Sequence, residues 1–149
     1  MTSPAKSVVI LLAEDDEEDF LLTKGALEEA RVLNDLRRVR DGEELLHYLR
    51  REFEYAAPAK SPTPSLILLD LNMPRKDGRE ALQEIKRDPR LRHIPVVVLT
   101  TSKAEEDIVH SYDLGVNSFI KKPVNFERFV EALRVLNRYW FEIVELPVH

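Results

Sequence analysis

Three short apolar runs limit what this chain can fold into: Val8 to Ala13, Leu66 to Leu69 and Ile94 to Leu99. A strand covered on one face alternates apolar and polar residues, whereas an unbroken run of Val, Ile and Leu marks a strand covered on both faces. These are the central strands, and Pro95 stands at the entrance of the third, where a missing ladder donor is tolerated. Two more polar segments, Leu36 to Arg40 with its three arginines and Asn117 to Ile120, suit the edges of the same sheet.

Helical spacing fills the intervals. Phe20, Leu27 and Ala30 mark a first helix, Leu45, Leu49 and Phe53 a second, and Ala81, Leu82 and Ile85 a third. Ile108 and Tyr112 mark a fourth, and Phe126, Val130 and Leu133 a fifth. Asp41 with Glu44, and Ser102 with Glu105, have the spacing of a capping box. Five alternations of strand and helix favour right-handed crossovers. The expected fold is therefore α/β, a doubly wound five-stranded parallel sheet in the order 2-1-3-4-5, with the polar strands outermost. Ala56 to Pro64, with prolines at 58, 62 and 64, reads as an exposed, lengthened loop before the third strand.

Composition narrows the function. The 149 residues fit one domain, 44% hydrophobic and 33% charged, and a formal net charge of −5 disfavours nonspecific attraction to nucleic acid. The absence of cysteine excludes disulfides and thiolate chemistry. Apolar runs fall far short of the roughly 20 residues that cross a bilayer, and the start of the chain lacks the length of a signal peptide, so a cytoplasmic location is expected.

Ligands of open parallel sheets bind beyond the carboxyl ends of the strands, where strand order reverses, here between strands one and three. Strand one ends in Glu14, Asp15 and Asp16, and strand three in Asp70. Two carboxylates ~4 Å apart repel by ~4 kcal/mol at an effective dielectric of ~20, so such a crevice requires a cation or a proton. Magnesium suits a site of oxygen ligands alone. The competing reading of the acidic trio is helix capping; Asp16 is assigned that role, leaving Glu14 and Asp15 for the metal. Asp70 leaves a buried strand too far from the next helix to cap it. A carboxylate can be the nucleophile of phosphoryl transfer when incoming charge is neutralised, and Thr100 and Lys122, at the ends of strands four and five, supply a hydroxyl and an ammonium. Taken singly, Thr100 could be a locally bonded strand-end hydroxyl and Lys122 a solvated lysine. Four strand ends giving acid, acid, hydroxyl and ammonium are harder to assign to surface chemistry.

In Leu12-Ala13-Glu14-Asp15-Asp16, Leu69-Asp70-Leu71-Asn72-Met73-Pro74, Thr100 and Lys122-Pro123, the chain resembles the receiver domain of two-component response regulators from Val8 to about Arg138. The resemblance implies a flavodoxin-like receiver fold over 1–149, with a C-terminal tail from about 139. It implies Asp70 as phosphoacceptor, Asp15 and Asp70 as Mg²⁺ ligands with the Asn72 carbonyl, and Glu14 acting through a metal-bound water. It also implies that Lys122, before a cis proline, pairs with the phosphoryl oxygens, and that Thr100 swings in to bond them. The donor would be a histidine kinase, and catalysis would extend only to the chain's own phosphorylation and dephosphorylation. Phe119 occupies the switch-aromatic position where many receivers have Tyr, so no phenol hydroxyl is available there. Asn72 and Ser102 fall where side chains tune phosphoryl lifetime in this family.

The tail continues an apolar stripe through Tyr139, Trp140, Phe141 and Ile143, the pattern of an interface, and a homodimer is expected. With no room after the fifth helix for a DNA-binding domain, the output is expected to be a protein contact. This ending and the long loop are similar to the stand-alone response regulators that partner bacterial phytochromes, which implies a light-regulated kinase. Two alternatives remain at this stage. A phosphohydrolase of the haloacid dehalogenase type would need a second Asp where Asn72 stands, and a flavin carrier would want glycine and hydroxyls where the acids stand.

Overall fold

The computed structural model describes residues 8–32, 34–71, 73, 76, 78–100, 118–121, 126–136 and 138. In chain order these form β1 (Val8–Ala13), α1 (Glu17–Glu29), β2 (Asn34–Val39), α2 (Gly42–Arg50), β3 (Leu66–Asp70), α3 (Gly78–Arg87), β4 (Val96–Thr100), β5 (Ser118–Lys121) and α4 (Phe126–Leu136). All strand pairs are parallel, in the order β2-β1-β3-β4-β5, as the polar edges predict. The helical segment at Ile108 and Tyr112, and the Ser102 cap, lie outside the described residues.

Strand period two splits the core into two layers. Leu11, Ala13, Ile67, Leu69, Val96 and Val98 face α2 and α3. Ile10, Leu12, Leu66, Leu68, Val97 and Leu99 face α1 and α4. Covering both faces leaves Leu11, Leu12, Leu68 and Leu69 with no exposed surface, and each such side chain contributes about 1.5–3 kcal/mol of burial.

Asp16 caps α1 by accepting from the Asp19 N–H at 2.9 Å, and Asp41 caps α2 by accepting from the Glu44 N–H at 2.8 Å. The return arm of the expected box is shifted by one residue: Glu44 accepts from the N–H of Arg40, at 2.8 Å.

Two expectations need correction. Phe53 is not part of the second helix. That helix ends at Arg50 because Arg51 turns left-handed, with φ 54°, and the Glu52 N–H returns to the His47 carbonyl at 2.9 Å, the closing pattern usually given to glycine. Phe53, also at φ 54°, is exposed, with its ring 4.6 Å from that of His47. Phe126 opens α4 as its spacing predicts and is 42% exposed, while Val130 and Leu133 on the same helix are buried. The proline-rich loop is not simply exposed. Two short 3-10 turns, Phe53–Tyr55 and Pro58–Lys60, fold it back, and Ser61 and Ser65 are buried. The Ser61 hydroxyl donates to the Tyr55 carbonyl at 2.9 Å and the Tyr48 hydroxyl to the Pro62 carbonyl at 2.8 Å.

Burial pushes the Tyr48 phenol up to about 12. Burial, reinforced by its hydrogen bond to Glu44, raises that of Tyr55 as well. Above the unfolded-state value of about 10 the unfolded chain sheds these protons while the native state keeps them, so stability falls as pH rises through that window. Urea denaturation between pH ~9 and ~11 is expected to show this fall, and Tyr48→Phe to flatten it while costing about 1 kcal/mol at neutral pH for the lost hydrogen bond.

Candidate functional site

The register that pairs Ala13 with Leu69 brings the next residues of both strands, Glu14 and Asp70, side by side at the carboxyl edge. Carboxylate oxygens of Glu14, Asp15 and Asp70 lie within 4.8 Å of one another. Glu14 and Asp70 are buried, and Asp15 is exposed. Asp16, as the sequence reading assigns it, is occupied in capping α1. At this spacing each like-charged pair costs ~3 kcal/mol at an effective dielectric of ~20, which a divalent cation offsets. The donor set fits a hard cation: among the described residues it is three carboxylate groups with no sulfur or imidazole, and Asp15 is exposed to water.

The loop carrying these acids is held from its backbone. The Glu14 N–H donates to the Val39 carbonyl at 3.0 Å, and the Asp16 N–H reaches the Glu14 carboxylate at 3.4 Å. From the sequence Arg38, on edge strand β2, marks only an edge. It donates from Nε to the Glu14 carbonyl at 3.0 Å and from Nη2 to the Asp15 carbonyl at 3.3 Å. It also pairs with Glu17 at 2.6 Å, and its guanidinium lies 4.5 Å from the centre of the Phe20 ring. The signal that could have found it is register: in the order 2-1-3 a long side chain near the carboxyl end of β2 stands beside the β1 loop. Because Glu17 balances its charge, removing Arg38 chiefly loosens the loop. Arg38→Ala is expected to weaken divalent-cation binding about tenfold in a calorimetric Mg²⁺ titration, the usual consequence of losing an outer-shell partner.

Beyond Asp70 the chain is fixed by two further bonds. The Gly78 N–H donates to the Leu71 carbonyl at 3.0 Å, and the Gly42 N–H to the Lys76 carbonyl at 2.9 Å. Lys76 pairs in turn with Glu84. On the other side, Asp70 is paired with Leu99, and Thr100 with Lys121, so β4 and β5 end at the same edge of the sheet as the acids. Phe119 stands in β5 opposite Val98. The side chains of Thr100 and Phe119, and all of Asn72, Ser102, Lys122, Tyr139, Trp140, Phe141 and Ile143, lie outside the described residues.

Residues 10–134 match the family model of the response regulator receiver domain. The chain is 44% identical to the response regulator Rcp1 of Synechocystis over 139 residues, 93% of this chain and 92% of that protein. It is similar to the crystal structure of the phosphorylated cyanobacterial phytochrome response regulator RcpA, with 46% identity, a TM-score of 0.82 and coverage of 95% and 99% of the two chains. It is also similar to the Mn²⁺-bound form of Rcp1, with 43% identity, a TM-score of 0.80 and the same coverage. These matches favour phosphorelay signalling over the phosphohydrolase alternative, as Asn72 does. With a buried aspartate at the end of the central strand, two acids beside it, and family likeness over 10–134, this chain belongs to the response regulator receiver domain family.

Proposed function

We propose that Asp70 accepts a phosphoryl group from the phosphohistidine of a sensor histidine kinase of the bacterial phytochrome type. The observation that carries this reading is the convergence of Glu14, Asp15 and Asp70 at the carboxyl end of β1 and β3. In the transfer, a carboxylate oxygen of Asp70 forms the P–O bond as the P–N bond to the kinase histidine breaks, and the departing imidazole nitrogen takes up a proton. Glu14, Asp15 and Asp70, with the Asn72 carbonyl, would hold Mg²⁺, which supplies charge neutralisation to the phosphoryl oxygens. Lys122 supplies a fixed positive charge and Thr100 a hydroxyl donor to the same oxygens, and Phe119 couples ring burial to the movement of Thr100. The chain acts only on its own phosphorylation state, and its location is cytoplasmic.

The phytochrome assignment is supported by likeness to Rcp1 and RcpA over nearly the whole chain. Phosphotransfer profiling tests it: the phytochrome-type kinases of the source genome are expected to transfer faster than other histidine kinases, and no preference among them sinks it. Acetyl phosphate with Mg²⁺ is expected to add one phosphoryl group per chain by intact mass, and EDTA to prevent it. Continuous turnover of phosphomonoesters would contradict the reading.

The apolar tail stripe supports a homodimer with a two-fold interface built from Tyr139, Trp140, Phe141 and Ile143, and with protein partners in place of nucleic acid. Trp140→Ala is expected to shift the mass measured by light scattering from dimer toward monomer, and an unchanged mass removes this interface.

A further inference from the structure

At the pole of the sheet opposite Asp70, a cavity of about 240 Å³ opens between the C-terminal end of α2, the Ser61–Pro64 stretch and the connection from α3 to β4. Three arginines, Arg50, Arg51 and Arg90, line it, and among the described residues no acid does. Leu49, Leu91 and Ile94 give it an apolar wall. The acids behind this lining are shared among its cations, and Glu52 adds an attraction to Arg90. Arg50 is shared between Glu84 at 3.6 Å and Asp88 at 3.8 Å, Arg90 takes the same Asp88 at 3.2 Å, and Glu84 also serves Lys76.

Arg51 has neutral partners. Its Nε donates to the Ser61 carbonyl at 3.3 Å and its Nη2 to the Thr63 hydroxyl oxygen at 3.2 Å. Its backbone is held left-handed at φ 54° where it closes α2, which fixes the start of the side chain. The proline-rich loop, which the phosphorylation site leaves unused, forms the opposite wall. Its bonds from Tyr48 to Pro62 and from Ser61 to Tyr55 set that wall in place.

The Ser61 carbonyl in this lining is already taken by Arg51, and the arginine and threonine side chains are donors. Guanidinium cannot accept, and the Thr63 hydroxyl, already accepting from Arg51, has its own proton to give. A ligand must therefore bring several acceptors and negative charge, and the forked geometry of arginine favours a phosphate. The apolar wall calls for an organic substituent beside that phosphate. We propose that this cavity binds a small phosphate monoester, an input separate from phosphorylation at Asp70.

The test is calorimetry and ¹⁵N-resolved NMR on the full chain, in EDTA so that the acidic site takes no metal, with phenyl phosphate and inorganic phosphate as probes at constant ionic strength. Phenyl phosphate is expected to bind saturably, to shift the amides of Arg51 and Thr63 and not that of Asp70, and to bind more tightly than inorganic phosphate. Arg51→Gly suits the left-handed backbone and Arg90→Gln alters an exposed side chain, so both keep the fold, and each is expected to weaken binding at least about tenfold. Absence of saturable binding up to ~10 mM, equal affinity in both variants, or equal affinity for the two probes would overturn the proposal.

Discussion

Asp70→Asn is expected to abolish phosphorylation, with no mass increment after acetyl phosphate and Mg²⁺ and no label from a kinase. The amide keeps the shape of the side chain and loses the charged oxygen nucleophile, so the fold remains while the chemistry stops. A contribution to stability is also expected. Asp70 is buried beside Glu14 and within 4.8 Å of Asp15, and one negative charge removed from such a trio relieves ~3 kcal/mol of repulsion per neighbouring pair before screening. In metal-free buffer, urea denaturation should therefore find Asp70→Asn at least as stable as the wild type, and excess Mg²⁺ should stabilise the wild type more than the variant. Phosphorylation persisting in Asp70→Asn would place the acceptor elsewhere.

The second large effect is expected at Gly78. A Cβ placed there would lie 2.5 Å from the Asp70 carbonyl oxygen and 2.6 Å from the Leu71 Cα, both backbone atoms at the strand end that carries Asp70, the proposed phosphoacceptor. Neither can yield without moving β3 or α3, and overpacking of this kind costs about 1–3 kcal/mol. Gly78→Ala is expected to lower the urea midpoint accordingly and to slow phosphorylation by displacing Asp70. Gly25, inside α1, provides the contrast. Among the described residues its added Cβ would meet only the Phe126 ring at 3.7 Å, so Gly25→Ala removes the entropic cost of a helical glycine and is expected to stabilise by about 0.5–1 kcal/mol. Equal stability losses in the two variants would show that backbone proximity at Gly78 is not what matters.

Much of this could be read directly because strand periodicity and charge are local properties. Runs covered on both faces announced β1, β3 and β4, the arginines of β2 announced an edge, and Glu14, Asp15 and Asp70 fell on strand ends that the topology joins. The second helix was read too long because its apolar stripe runs on to Phe53, whereas its end is set by Arg51 taking a left-handed conformation that residue type alone does not signal. The proline-rich loop was read as exposed because proline shows where regular structure stops and not where the chain next packs.

The sequence by itself determined the parallel architecture, the order of the strands and the identity of the acids, since each follows from residue types at fixed spacing. Only the tertiary structure decided that Arg38 clamps the carbonyls of Glu14 and Asp15, that Gly78 lies against the backbone of Asp70, and that three arginines surround one cavity. These are contacts between residues distant along the chain. Their distances are set by how strands and helices pack, which no local pattern of residues records.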